Sequence, residues 1–216
     1  MTDRGAAAKA GGTGDVSATE VADRLRERLG EGDLACLLCD HGAARPVPET
    51  GGVRFGPATF AGVAKTVRAP GGALAAVRRA VREPCDGHVL LLHSSGEPAV
   101  WGGRLNAAAR TAGAAGVVVV GRVRDVPTLR ASSLGIVASG VAPHRSDADD
   151  PGEVDVALHV GRTHVNPGDV LLADENGVVA IAPSAFAMVV RQLDDWIREE
   201  RAADEAGPSG TEGNAR

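Results

Sequence analysis

The stretch Trp101–Asp125, WGGRLNAAARTAGAAGVVVVGRVRD, decides how this chain is read. It has the pattern of a glycine turn, a short helix, a strand and a tight turn carrying two adjacent opposite charges. Gly102 and Gly103 free the backbone ahead of a helix expected to start near Arg104. Such a start offers unpaired N–H groups and the positive end of the helix dipole, which suit a carboxylate or phosphate. Residues 107–112 are nearly all small, so this helix can lie close against a sheet, and Gly113 and Gly116 are expected to end it. Val117 to Val120 is an apolar, β-branched run of the kind buried on both faces of a sheet. Gly121 then turns the chain into Arg122, Val123, Arg124 and Asp125. Opposite charges at the end of a buried strand are costly unless each has something to hold. Arg124 can clamp a planar carboxylate with two parallel hydrogen bonds, and Asp125 can hold a hard divalent cation. The competing reading is a plain ion pair at a loop end.

Working outward, the 216 residues suffice for one substantial core with short tails. A net charge of −5 and 2% aromatic residues, with no Tyr, argue against nucleic acid as a partner, since single-strand binding needs stacking platforms. The N-terminus MTDRGAAAKAGGTG lacks an apolar signal region, and nowhere do eighteen apolar residues run together, so neither a secretory leader nor a membrane span is expected. Three cysteines, an odd number, fit a reducing cytoplasm better than a disulfide framework.

Residues 1–15 read as a disordered leader, and 204–216 as a disordered tail. Between them, 16–203 forms one domain. Ser17 with Glu20 makes a capping box opening a helix to about Leu29, with Val21, Leu25 and Leu29 inward. The segment Asp33–Cys39 fits either a short strand or a second helix. Cys36 and Cys39 form a C-x-x-C, but without the second pair of a zinc site they read as buried packing. Phe55–Val67 is expected as a strand, Ala73–Arg82 as a helix with a basic outer face, and Val89–Leu92 and Ile136–Ala138 as strands. The loop Ser139–Gly152, which carries His144 and Arg145, reads as a solvated face. Val154–Val160 alternates as one strand. Two further strands flank Asp174-Glu175-Asn176-Gly177, where Asn-Gly points to a type I′ turn and Asp174 and Asn176 to turn chemistry. Ser184 is expected to cap a last helix that buries Phe186, Val189, Val190, Leu193 and Ile197.

Four segments in this order resemble the RraA-like family, which holds both 4-hydroxy-4-methyl-2-oxoglutarate aldolases and regulators of RNase E. They are GPATFAGVAKTV at 56–67, WGGRLNAAARTAGAAGVVVVGRVRDV at 101–126, SGVAPHRS at 139–146 and NPGDVLLADENGVVAIAP at 166–183. The resemblance covers about residues 17–200. It implies an α/β protein, a single-domain α/β/β/α sandwich of swivelling-domain type, assembled as a homotrimer or hexamer with sites shared between subunits. In its aldolase branch Arg124 would bind the pyruvate moiety and steady its enolate, and Asp125 would bind Mg²⁺ or Mn²⁺. Backbone amides of Gly102, Gly103, Arg104 and Leu105 would hold the substrate carboxylate. An acid of the last helix, Glu199 or Glu200, would reach a neighbouring subunit's site. The implied reaction is a class II retro-aldol cleavage of a 2-oxo acid, with oxaloacetate decarboxylation through the same enolate.

Two positions depart from that pattern. The family's W-G-E or W-G-D is here Trp101-Gly102-Gly103, and its G-D-N is Gly71-Gly72-Ala73. Loss of an acid that orders metal-bound water typically costs about 10- to 100-fold in metal affinity or activity. The resemblance therefore implies a metal-dependent lyase of altered activity. The alternatives are a non-catalytic regulator and an enzyme repurposed for secondary metabolism.

Overall fold

The structure is a computed structural model describing residues 16–206. The expected leader 1–15 lies outside the described residues, as do 207–216. At the first described turn Ser17 Oγ accepts from Glu20 N at 3.1 Å, and helix α1 (Ala18–Glu27) follows with Val21, Ala22 and Leu25 buried. The ambiguous segment is helical, α2 (Leu34–Asp40).

The chain then lays down β1 (Arg45–Pro46), β2 (Val53–Phe55), β3 (Phe60–Arg68), α3 (Ala75–Ala80) and β4 (His88–His93). Next come β5 (Ala99–Trp101), α4 (Gly103–Thr111), β6 (Gly116–Val123), α5 (Val126–Arg130) and β7 (Gly135–Val141). The last part holds β8 (Glu153–Val154), β9 (Leu158–Val160), β10 (Thr163–Val165), β11 (Val170–Asp174), β12 (Gly177–Ile181) and α6 (Pro183–Ala206). One sheet runs β1-β12-β11-β3-β4-β6-β7-β2, with β5 added to β6 and β8 to β3. Strands β3, β4, β6 and β7 are parallel, while β11 and β12 pair antiparallel at the side of β3. A β9–β10 hairpin stands apart.

Period-two alternation sorts the side chains into layers. Along β4, Leu90 and Leu92 face a core shared with α3, α4 and α5, while Val89 and Leu91 face inward. Along β11 and β12, Val170, Leu172, Val179 and Ile181 face α1, α2 and α6, and Leu171, Ala173, Val178 and Ala180 face inward. The two inward faces and the β9–β10 hairpin share a third core. The order is helix, strand, strand, helix, as the α/β/β/α expectation requires.

Strand β3 joins the halves. On one of its faces Ala61 belongs to the core under α1 and α6, and Val67 to the core under α3 and α4. Between them Lys65 is buried, held by Glu83 at 2.7 Å and Asp155 at 3.2 Å. Burial would lower the ammonium's pKa, but the bonds to Glu83 and Asp155 outweigh it and leave it raised. Those same contacts break the single strand expected over 154–160. Asp155 turns out at φ +56 to reach Lys65, and its N–H bonds Thr66 O, so β8 and β9 are separate.

Several local expectations change. Gly116 is the first residue of β6 rather than a helix stop, and the strand continues through Gly121 to Val123. Helix α6 starts at Pro183, one residue before Ser184, because proline suits a first helical position where its missing N–H costs nothing. It runs to Ala206, beyond the expected end at 203, and buries Trp196 against His41 as well as Phe186, Val189, Leu193 and Ile197. Val190 is only half-buried.

The Asp174–Gly177 hairpin is present, but neither Asn176 nor Gly177 takes a positive φ, so it is not type I′. The Asp174 carboxylate shapes it instead: Oδ1 accepts from Asn176 N and Gly177 N, and Oδ2 from Ala35 N at 2.8 Å. Cys36 is exposed, contrary to the packing expectation; Cys39 is half-buried and Cys85 buried. Partial desolvation by its neighbours, then the nearby acids Asp174, Asp33 and Asp40, pushes the Cys36 thiol up. Among the described residues no helix is long and apolar enough to cross a membrane.

Two outcomes follow from these contacts. Asp174→Ala strands three backbone N–H groups and should cost about 2–4 kcal/mol in urea unfolding. The hydrogen bond from Lys65 holds the Glu83 carboxyl below its ordinary value of 4.5. A depressed folded pKa gives stability that is present above 4.5 and lost as pH falls below it. Glu83→Gln should therefore lower the melting temperature at pH 7 and flatten its fall between about pH 5 and pH 3; an unchanged acid profile would show that the pair carries no stability.

A candidate active site between the β5 and β6 ends

Parallel pairing places two turns side by side. Trp101 of β5 registers with Val123 of β6, and Arg124 N bonds Trp101 O at 2.9 Å. The turn into α4 and the turn into α5 therefore emerge together. Asp125 caps α5 in the left-handed region, at φ +61 and ψ 40, with its carbonyl accepting from Thr128 N and Leu129 N. A non-glycine residue there is uncommon, and Asp is among the types that tolerate it. The conformation turns the Asp125 carboxylate back over α4, where Oδ2 accepts from Gly103 N at 2.9 Å.

Gly102 makes that approach possible. Its φ of −172 is extended backbone open to any residue, so conformation does not demand glycine. Space does: a Cβ there would lie 2.7 Å from Asp125 Oδ2 and 3.1 Å from Arg124 Cγ. At Gly103 a Cβ would lie 3.6 Å from Asp125 Oδ2 and 3.0 Å from Thr128 Cγ2. The N–H groups of Arg104 and Leu105, next along α4, have no acceptor among the described residues. They retain the partial positive charge of a helix start.

Arg124 Nε stands 3.9 Å from Asp125 Oδ1, with the two side chains 39% and 43% exposed. That is too loose and too wet to be a structural clamp. Both groups keep most of their bonding capacity. They line a cleft of about 450 Å³ whose apolar wall includes Leu74, Val100, Trp101 and Leu105. Its charged groups are Arg78, Arg104, Arg124 and Arg145 against Asp125 alone.

All six residues singled out in the sequence thus come together: Gly102, Gly103, Arg104, Leu105, Arg124 and Asp125. Glu199 is exposed, Glu200 is half-buried, and neither lines this cleft. Burial first, then Asp204, Asp33 and Asp40, holds the Glu200 carboxyl above its ordinary value. Arg78 and Arg145 are additions, placed by the sequence reading on an outer helix face and in a solvated loop. Ligands of parallel sheets bind beyond the carboxyl ends of the strands. The segments after β3 and β7 leave from that same end, which is the signal that would have drawn both arginines in.

Comparisons with known proteins place the sequence and the fold. The RraA-like profile, described as Aldolase/RraA, matches residues 18–180. A 4-hydroxy-4-methyl-2-oxoglutarate aldolase of Thermus thermophilus is 41% identical over 129 residues, 58% of this chain and 77% of that protein. The solved structure of the RNA-processing inhibitor RraA from Thermus superposes with a TM-score of 0.64 at 36% identity, covering 69% of this chain and 92% of that one. The Streptomyces coelicolor protein RraAS2 shares the fold, with a TM-score of 0.70 at 24% identity over 87% of this chain and 98% of its own. The ordered motifs, the layered sheet and a family profile spanning most of the described residues lead to one conclusion: this chain belongs to the Aldolase/RraA family.

Proposed function

We propose that the chain is a divalent-metal-dependent lyase that cleaves or decarboxylates a 2-oxo acid through its enolate. The observation that carries this reading is the Arg124–Asp125 pair lying beside the unpaired N–H groups of Arg104 and Leu105, on one cleft. The Thermus relative, named for an aldolase of a 2-oxo acid, supports the substrate class.

Asp125 is the single carboxylate lining the cleft, and its Oδ1 accepts no hydrogen bond among the described residues. That donor suits Mg²⁺ or Mn²⁺, hard cations held through one or two carboxylates with water completing the shell. When bound, such a cation supplies Lewis-acid stabilisation of negative charge.

The protein's own groups do the rest. The N–H groups of Arg104 and Leu105 receive the substrate carboxylate at the positive end of α4. In this reading Arg124 donates to the C2 oxygen, where charge develops, and its planar fork keeps that contact as the carbonyl becomes an enolate. In the retro-aldol direction the C3–C4 bond breaks, and its electron pair passes into the enolate. The C4 hydroxyl passes its proton to solvent water as the second carbonyl forms, and the enolate takes a proton back from water at C3. Trp101, Val100 and Leu105 form a wall that limits water at the reacting carbons.

We further propose a homotrimer or hexamer in the cytoplasm, with Glu199 or Glu200 supplied to the cleft of a neighbouring copy. A second reading, a non-catalytic binding protein, draws on the solved RNA-processing inhibitor. It needs neither the cation nor Arg124.

Asp125→Asn keeps a residue type that accepts the left-handed conformation and an oxygen for Gly103 N, so the melting temperature should hold. Decarboxylation of oxaloacetate with Mg²⁺ or Mn²⁺ should fall by about 10²-fold or more. Arg124→Lys should fall comparably, because an ammonium cannot reproduce the fork. Wild-type rates in both variants would remove the site assignment and leave the binding-protein reading.

Gly103→Glu tests the altered chemistry, since the new side chain would start beside Asp125 and at a helix start that favours an acid. Combined with Thr128→Ala to relieve the 3.0 Å approach, it should tighten Mg²⁺ binding and raise the decarboxylase rate about tenfold or more. A flat response of rate to Mg²⁺ in both proteins would count against a cation at Asp125.

A further inference from the structure

The β9–β10 hairpin stands outside the main sheet, and its sequence LHVGRTHV, residues 158–165, puts one histidine in the middle of each strand. Period-two alternation turns Leu158 and Val160 of β9 inward with Thr163 and Val165 of β10, and all four are buried. His159 and His164 are left on the outer face, and both are exposed. The connection Gly161-Arg162 fixes a register in which the two histidines are direct cross-strand partners. Side chains so opposed start with Cβ atoms about 4.5–5.5 Å apart. Here the two rings lie with centroids 4.0 Å apart, tilted by 55°.

The backbone beneath the rings is held in place. Thr163 Oγ1 donates to Pro46 O at 2.7 Å, and Leu158, Val160 and Val165 belong to the inner core. Gly161, at φ +57, lies so near Pro48 that a Cβ there would be 2.8 Å from its Cγ. A ligand bridging the rings therefore has little to order besides the imidazoles themselves. Neither ring is engaged elsewhere: among the described residues the imidazole with a hydrogen bond is His88, through Nδ1 and Asp86 O, and no acid lies within 4.0 Å of His159 or His164.

A neutral imidazole offers one nitrogen lone pair, a ligand suited to zinc, copper and nickel. Two nitrogens at about 2.0–2.1 Å from one zinc ion in tetrahedral geometry are roughly 3.4 Å apart. That separation is within the span of rings whose centroids are 4.0 Å apart. No third His, Cys, Asp or Glu of the described residues completes a cluster with them.

We propose that His159 and His164 form a two-imidazole site for a divalent transition-metal ion of the zinc, nickel or copper type, with water in the remaining positions. The site differs from the Asp125 cleft in place and in chemistry. Neither histidine lines that cleft, and imidazole nitrogens select borderline ions where a lone carboxylate suits Mg²⁺ or Mn²⁺. A bound ion ties β9 to β10 across a two-stranded hairpin, an element that is weak by itself, and so secures one cover of the inner core. The site is independent of the lyase reading.

The test is calorimetric titration of the tag-free full-length protein with Ni²⁺ in excess Mg²⁺, which fills carboxylate sites suited to hard cations. The wild-type protein should bind one Ni²⁺ per chain with a Kd of about 1–10 μM. H159Q and H164Q should each weaken binding about tenfold or more, and the double variant little further, because losing either ring removes the chelate. At Ni²⁺ about tenfold above Kd the wild-type melting temperature should rise by about 3 °C or more, with no rise in the variants. Without metal all four proteins should melt alike, since both side chains are exposed. A measurement on the wild type alone is the electron paramagnetic resonance spectrum of one bound Cu²⁺, which should carry hyperfine structure from two imidazole nitrogens. Absence of Ni²⁺ binding, binding that survives the double variant, single losses that merely add up to the double, or a Cu²⁺ spectrum of oxygen ligands alone overturns the site.

Discussion

The site depends on two turns meeting with no side chain between them. At Gly102 the chain passes so near Asp125 and Arg124 that even a methyl group would collide with both. That proximity lets the Asp125 carboxylate take the first N–H of α4 and settle in the left-handed conformation that aims it there. One oxygen is used for architecture and the other accepts no hydrogen bond among the described residues. The arrangement also leaves the next two N–H groups of the helix open. An acid, a guanidinium and two amide donors converge because one glycine is absent of side chain, and each would be misplaced if the turns moved apart by an ångström.

The scaffold that brings these turns together is the parallel block β3-β4-β6-β7, with β5 added at the end of β6. Parallel strands release their connections at one edge, so segments far apart in sequence deliver side chains to one place. The second half of the sheet serves a different purpose, burying α1, α2 and α6 and closing the inner core. Strand β3 must satisfy both halves along one face, and Lys65 occupies the seam. A lysine reaches two acids there that an apolar residue would leave unpaired. Asp174 works likewise on the far side, where one buried carboxylate shapes a hairpin and receives the first turn of α2.

Charge around the cleft contrasts with charge over the chain. The protein carries a net −5, yet the cleft gathers four arginines and one aspartate. A local field opposite in sign to the average draws small anions to one place without making the surface sticky for polyanions.

By itself the sequence determined the elements whose code is local. Ser17 with Glu20 specified a cap, the valine run a buried strand, and the two short runs either side of Asp174–Gly177 a hairpin. The glycine turn, the helix start and the Arg124–Asp125 pair were legible as a site because they sit within one strand-helix unit and match a family motif. Only the tertiary structure decided what depends on partners far along the chain. Asp155 breaks an alternating stretch because Lys65 lies ninety residues away. Asp174, not Asn-Gly, shapes the hairpin because its carboxylate also serves Ala35. Arg78 and Arg145 looked like solvated charge because neither neighbours the site in sequence, and a latch between Ser146 and Gly71 puts them on its rim. Period and propensity act over a few residues, whereas the energy of a charge is set by whatever the fold places within a few ångströms of it.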